Sequence, residues 1–225
     1  FDQVLKQYAN EKGLVDYNGI AKDPRFANYL RSLETAKIED LSRDGRLAFW
    51  IDAYNAVIID QVIKRKPKKS VRETIIPGVW TSTDIFTSRE NVVANRRVSP
   101  DDIENDILRP MDPRVHFAIV CASMGCPPLV REAYTAGNVQ ALLDEDLRNY
   151  LRSPRGLRID REKNTLYLSK IFEWFGNDFI GKSGSVVAFV RPYLNEEALS
   201  FLERKPEIAY LEYNWALNAK EPLRR

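Results

Sequence analysis

The stretch VHFAIVCASMGCPPL, Val115 to Leu129, holds the chain's one histidine, His116, and both of its cysteines, Cys121 and Cys126. A thiol within reach of an imidazole can act as a nucleophile: the base takes the thiol proton and the thiolate attacks a carbonyl. Cys126 suits that task better than Cys121. It follows Gly125 in a turn and precedes Pro127 and Pro128, so the turn exposes it. Pro127 as the first residue of a short helix would place the thiol at a helix N-terminus, which stabilises a thiolate. Cys121 ends an apolar run and reads as a small core residue. The two cysteines are also a candidate redox pair, although their C-x-x-x-x-C spacing differs from the usual C-x-x-C and a strand-to-turn path need not bring the sulfurs together.

Geometry limits the pairings. RVHFAIVCAS has the length and β-branched content of a buried strand. If extended, it sets His116 and Cys121 roughly 16 Å apart on opposite faces. Cys126 then reaches His116 only if the strand is short or the turn folds back. Glu104, in DDIENDIL, is the nearest acid on an apolar helix face. It either orients the imidazole as the third member of a Cys-His-acid set or is a solvated acid complementing the helix dipole. The backbone N–H groups of Met124 and Gly125 are oxyanion candidates, since glycine permits close approach. In FWIDAYNA, the polar groups of Asp52, Tyr54 and Asn55 must be hydrogen-bonded if buried, so they tie the helix to a loop or line a pocket. The aromatics of IFEWF and YNWALN read as packing.

These residues need a scaffold. GRLAFWIDAYNAVIIDQVIKRKP predicts a central core helix over about Leu47 to Lys64, apolar on most of its circumference, basic at its end and stopped by Pro67. Two amphipathic segments precede it. KSVRETIIPGVWTSTDIFTSRENVVANRRV predicts short strands or a hairpin with a turn at ANRR. SPDDIENDILRP predicts a short helix with Ser99 as N-cap and Pro100 at the first position, ended by Pro110 and Pro113. TAGNVQALLDEDLRNYLRSP is an amphipathic helix, LRIDREKNTLYLS a hairpin, and two short helices run from about Ser185 to Arg204 before a closing strand in EIAYLEYNWALN. The expectation is one α+β domain over residues 1–225, with a helical N-terminal half around the core helix packed on a small, mostly antiparallel sheet.

Composition bounds the partners. The 225 residues are 44% hydrophobic, ample for a core, and 34 Lys+Arg against 32 Asp+Glu leave a net charge of +2. That is too little to mark nucleic acid or an anionic membrane as the main partner. No apolar run reaches the ~18 residues of a membrane span, so a soluble protein with a small ligand is expected. One histidine and two cysteines make no familiar zinc set, and neither metal nor cofactor is expected. The chain opens on Phe1 rather than Met, which suggests an exported or periplasmic protein whose signal peptide was removed.

FWIDAYNA, SPDDIENDILRP, RVHFAIVCASMGCPPL, AYTAGNVQALLDEDLRNYL, LSKIFEWFGNDF and YNWALN, in this order, resemble the domain of unknown function 547 family over nearly the whole chain. The resemblance implies a bacterial, apparently exported protein related to papain-like cysteine peptidases, with a Cys-His-Glu site and glutathione as substrate. Carried over, His116 is the His of the HFA motif, Glu104 the Glu of DDIE, and Cys121 and Cys126 the pair of C-x-S-x-x-C-P-P. Two positions depart from the pattern: Asp52 stands where FWINAYN has Asn, and Asn105 follows Glu104 where a second His is usual. Some plant relatives lack the His and the second Cys, so the fold can serve without catalysis. The leading expectation is a thiol hydrolase or acyltransferase acting on a small peptide amide such as glutathione, with Cys126 or Cys121 as nucleophile. The alternatives are a non-catalytic binding module and a thiol-redox protein using both cysteines.

Overall fold

The computed structural model describes residues 1–74 and 84–224. Its organising element is the core helix, Arg43–Arg65, capped by the Ser42 side chain and closed by Lys66 in the left-handed region at φ 51. Leu47, Ile51, Ala53, Ala56, Val57 and Val62 along it are wholly buried. Helices Asp2–Tyr8, Tyr17–Ile20 and Pro24–Glu34 surround it. Each Leu, Ile or Val side chain removed from water there contributes about 1.5–3 kcal/mol, which offsets the ordering of the chain.

Two sheets complete an α+β architecture. Strands β1 (Asn91–Val93) and β2 (Arg96–Val98) form the antiparallel hairpin turned at Ala94 and Asn95, both at positive φ. Residues 75–83, the middle of the stretch expected to hold short strands, lie outside the described residues. Strands β3 (Leu157–Asp160) and β4 (Thr165–Leu168) pair antiparallel, as the alternating runs require. Strand β5 (Glu207–Tyr210), the closing strand, pairs with β4 in parallel, the one parallel pairing beside two antiparallel ones among the described strands. A parallel neighbour needs a crossover, and helices Ile171–Trp174, Gly176–Ser183, Val186–Val190 and Glu196–Leu202 supply it.

RVHFAIVCAS is not a strand. Asp112 caps a 3-10 helix over Pro113–Phe117 with Pro113 in its first turn, so the chain begins helically. Asn55 of the core helix then takes the following backbone: its amide N–H donates to Ala118 O (3.0 Å) and its oxygen accepts from Val120 N–H (2.9 Å). One buried side chain thus satisfies groups that a strand would have given to a neighbour. Because the segment is coiled, the 16 Å separation expected of an extended chain does not apply. Nor does a helix begin at Pro127, since residues 127–130 have no regular structure.

The segment around Glu104 is helical but irregular. Ser99 and Asp102 form a capping box at Pro100–Asp102, a π-helix runs over Ile103–Leu108, and Arg109–Met111 returns to α geometry. Arg109 N–H reaches Glu104 O, five residues back. That wide turn lets the helix pass through Pro110, which has no N–H to offer, instead of ending there.

Candidate active site

A cavity of about 180 Å³ lies between the cluster around the core helix and the cluster around the three-stranded sheet. His116, Glu104, Cys121 and Cys126 all line it, with Tyr54, Phe86, Trp174, Phe175, Tyr213 and Trp215 among its walls. Four residues that the sequence marked for chemistry therefore share one concave, largely apolar site between packed units, the usual setting for a small ligand.

Cys121 and Cys126 are joined as a disulfide, with their Cα atoms 6.2 Å apart. The turn between them brings the sulfurs together, which the expected strand would not have done. Its backbone is held by the C-terminal segment: Met124 N–H donates to Ala216 O and Gly125 N–H to Asn214 O, each at 2.7 Å. These bonds occupy the two amides expected to line an oxyanion hole. Gly125 is required for another reason, because a Cβ there would stand 2.9 Å from the Tyr213 ring. Without a side chain at 125 the phenol lies over the turn, its oxygen 3.1 Å from both sulfurs.

The exposure of the two cysteines is the reverse of that expected. Cys126 is only 4% exposed, and Cys121 is partly exposed. Tyr213 and the backbone contacts of the turn direct the Cys126 sulfur inward, where it accepts from Cys121 N–H at 2.9 Å and from Tyr213 O–H at 3.1 Å. Ser123 Oγ lies 3.0 Å from Cys121 Sγ and donates to the Tyr213 oxygen at 3.1 Å. Burial raises the Tyr213 phenol well above its ordinary pKa, so it stays a neutral donor.

His116 faces acids rather than sulfur. Its ring stacks on Phe175 at a centroid distance of 3.9 Å. Nε2 donates to Asp178 Oδ2 at 2.9 Å, and Nδ1 lies 3.7 Å from Glu104 Oε1. Burial pulls the imidazole down to about 4, against the hydrogen bond and charge of Asp178. Burial also works to raise Asp178, but the hydrogen bonds from Arg109 and His116 outweigh it and keep its pKa below the ordinary value. Arg109 grips Asp178 through Nε at 2.7 Å and Nη2 at 3.0 Å. Glu104 is raised to about 7, first by burial and then by the charge of Asp101, while its hydrogen bond from Tyr54 O–H at 3.3 Å acts the other way. Near neutrality the site thus holds a neutral imidazole, an ionised Asp178 and a carboxyl poised to keep or release a proton.

Asp52 and Asn55 lie outside the cavity wall. Asn55 holds residues 118–120, and Asp52 accepts from Tyr134 N–H at 3.3 Å, burial raising its carboxyl to about 8. Asp178, Ser123, Trp174 and Tyr213 belong to the site but were not expected in it. Asp178, Trp174 and Tyr213 stand in LSKIFEWFGNDF and YNWALN, whose aromatics read as packing. Trp174 instead has 44% of its surface exposed and packs on Tyr213 and Trp215 at centroid distances of 4.8 and 5.6 Å. Among the described residues no group of His, Cys, Asp or Glu is arranged to hold a metal ion, and no helix is long and apolar enough to cross a membrane.

A family model described as "Protein of unknown function, DUF547" matches residues 38–151. That span includes the core helix, Glu104, His116 and both cysteines. No curated protein and no solved structure matches the chain.

Proposed function

The chain belongs to the DUF547 family, whose description assigns no reaction, and from its own side chains we propose that it exchanges thiols and disulfides through Cys121 and Cys126. An incoming thiolate attacks the more exposed sulfur, Cys121 Sγ. A new S–S bond forms there, the Cys121–Cys126 bond breaks, and the electron pair leaves on Cys126. A second thiolate attacks the incoming sulfur of the mixed disulfide and expels Cys121 as thiolate. The sum is two thiols oxidised to one disulfide and the protein's disulfide reduced to a dithiol; the reverse sequence oxidises a dithiol. A leaving thiolate is favoured by donors aimed at it, and Cys126 has two, Cys121 N–H and Tyr213 O–H. Forming the neutral dithiol requires two protons, and Glu104 on the same cavity wall can supply one near pH 7.

The observation that carries this reading is the placement of the disulfide in a ligand-sized cavity under one shared phenol, while both His116 nitrogens face carboxylates. The test is reduction by dithiothreitol followed by alkylation and mass spectrometry. The disulfide of the folded protein should open and reclose reversibly, and Tyr213→Phe should slow opening on the order of tenfold, the effect of losing one hydrogen bond to a developing thiolate. A disulfide that opens only when the whole protein unfolds is a structural crosslink and would end the proposal.

A second reading, the thiol hydrolase or acyltransferase, draws on the presence of Cys121, His116 and Glu104 in one cavity and on the papain-like relation that the resemblance implies. It applies to the reduced protein. The Cys121 thiolate attacks an amide carbonyl, a thioester forms, the C–N bond breaks and the amine leaves with a proton delivered through His116, which must first give up a carboxylate partner. Reduced protein incubated with glutathione or a short peptide amide should then carry an acyl adduct on Cys121. An unchanged mass, with the amine retained, removes this reading.

A further inference from the structure

The cavity wall points to the kind of sulfur compound that reaches the disulfide. Its described ionisable side chains, apart from the tyrosines and cysteines, are Glu104 and His116, a carboxyl and an imidazole that burial keeps neutral at pH 7. Neither can pair a carboxylate. Arg109, which lies over the Phe175 ring at 5.0 Å, is committed to Asp178. Arg72 stacks over Trp215 at 5.0 Å and Arg155 donates to Cys126 O at 3.4 Å, and neither side chain lines the cavity. Glutathione brings two carboxylates and one ammonium, and burying such charges without partners is costly.

The wall has instead the chemistry of an aromatic or aliphatic side chain. Trp174, Phe175, Tyr213 and Trp215 offer ring faces and edges, and Ile119 and Ile171 close the remaining sides. An apolar cavity of about 150 Å³ admits a benzene ring, so 180 Å³ accommodates one ring-sized side chain. Trp174 lies on the site and is held mainly by other wall aromatics, which leaves its exposed surface free to cover an apolar guest.

We infer that the substrate is a cysteine-containing peptide, thiol or disulfide, whose reactive cysteine is flanked by an uncharged aromatic or branched apolar side chain that enters this cavity while its sulfur meets Cys121. The inference rests on the exchange reading and replaces glutathione with an apolar partner. The test measures how fast the folded protein's disulfide is opened by N-acetyl-Cys-amide, N-acetyl-Phe-Cys-amide, N-acetyl-Asp-Cys-amide and glutathione, compared at equal thiolate concentration. The Phe peptide should react at least about tenfold faster than the Asp peptide and glutathione, a factor within reach of one filled apolar pocket. In Trp174→Ala, a change at an exposed position, the ratio of the Phe peptide to N-acetyl-Cys-amide should fall towards one. If no thiol opens the disulfide, the exchange reading itself fails. Equal rates across the series, or a lead for the acidic compounds, would leave exchange standing and overturn the apolar substrate class.

Discussion

In Cys126→Ser, Cys121 should capture a neutral aromatic disulfide such as dithiodipyridine and keep it, giving a stable mixed disulfide in the intact mass. In the wild type, first reduced to the dithiol, the same adduct should be transient. The Cys121 thiolate attacks the reagent and expels one pyridine thiol; Cys126 then attacks Cys121 Sγ, expels the second and closes the internal disulfide. Removing Cys126 removes the resolving sulfur while leaving Ser123 and Tyr213 within 3.0 and 3.1 Å of Cys121 Sγ to stabilise its thiolate. The reciprocal variant, Cys121→Ser, keeps only a sulfur that is 4% exposed and should react slower by on the order of tenfold or more, because attack requires access as well as thiolate character. Equal labelling of the two variants, or labelling confined to the one that retains Cys126, would return the attacking role to the cysteine before the prolines.

That reversal shows where sequence reasoning stops. The core helix, the two hairpins and the Ser99 cap were legible because each follows from local pattern: an apolar run ended by Pro67, alternation around a polar turn, a hydroxyl before Pro100. The site was legible as a set of residue types, since His116, Glu104, Cys121 and Cys126 do share one cavity. Their arrangement was not legible, because distant groups determine it. Asn55, more than sixty residues away in sequence, satisfies the backbone after His116 and leaves no need for a strand partner. Asn214 and Ala216, far along the chain, fix the turn carrying Gly125 and with it the direction of each sulfur. Asp178 arrives on a crossover whose existence depends on β4 and β5 pairing in parallel. The signal for Tyr213 and Asp178 lies in the resemblance motifs YNWALN and LSKIFEWFGNDF, whose aromatics read as packing.

Glu104→Gln should stabilise the protein in mildly alkaline solution and do little at pH 5. The Glu104 carboxyl is raised from its ordinary 4.5 to about 7 in the fold. Below 4.5 both folded and unfolded chains hold the proton. Between 4.5 and 7 the unfolded chain releases it and the folded one keeps it, so the stability contributed by this group is lost as pH rises through 7. At 1.36 kcal/mol per pH unit the loss approaches about 3 kcal/mol by pH 8. His116 runs the other way: lowered from 6.5 to about 4, it contributes stability above 6.5 that is lost as pH falls through 4. Asp52 and Asp146, raised by burial to about 8 and about 7, add to the Glu104 trend, so the wild type should weaken from pH 5 to pH 8. Glutamine keeps an oxygen for the Tyr54 hydroxyl but has no charge to bury, which removes the Glu104 share alone. With the disulfide intact, the variant should melt about 6–12 °C above the wild type at pH 8 and near it at pH 5, given about 2–4 °C per kcal/mol for a chain of this size. A difference of melting temperature that does not change with pH would mean that Glu104 is ionised in the folded protein throughout, and would remove it as the proton store beside the disulfide.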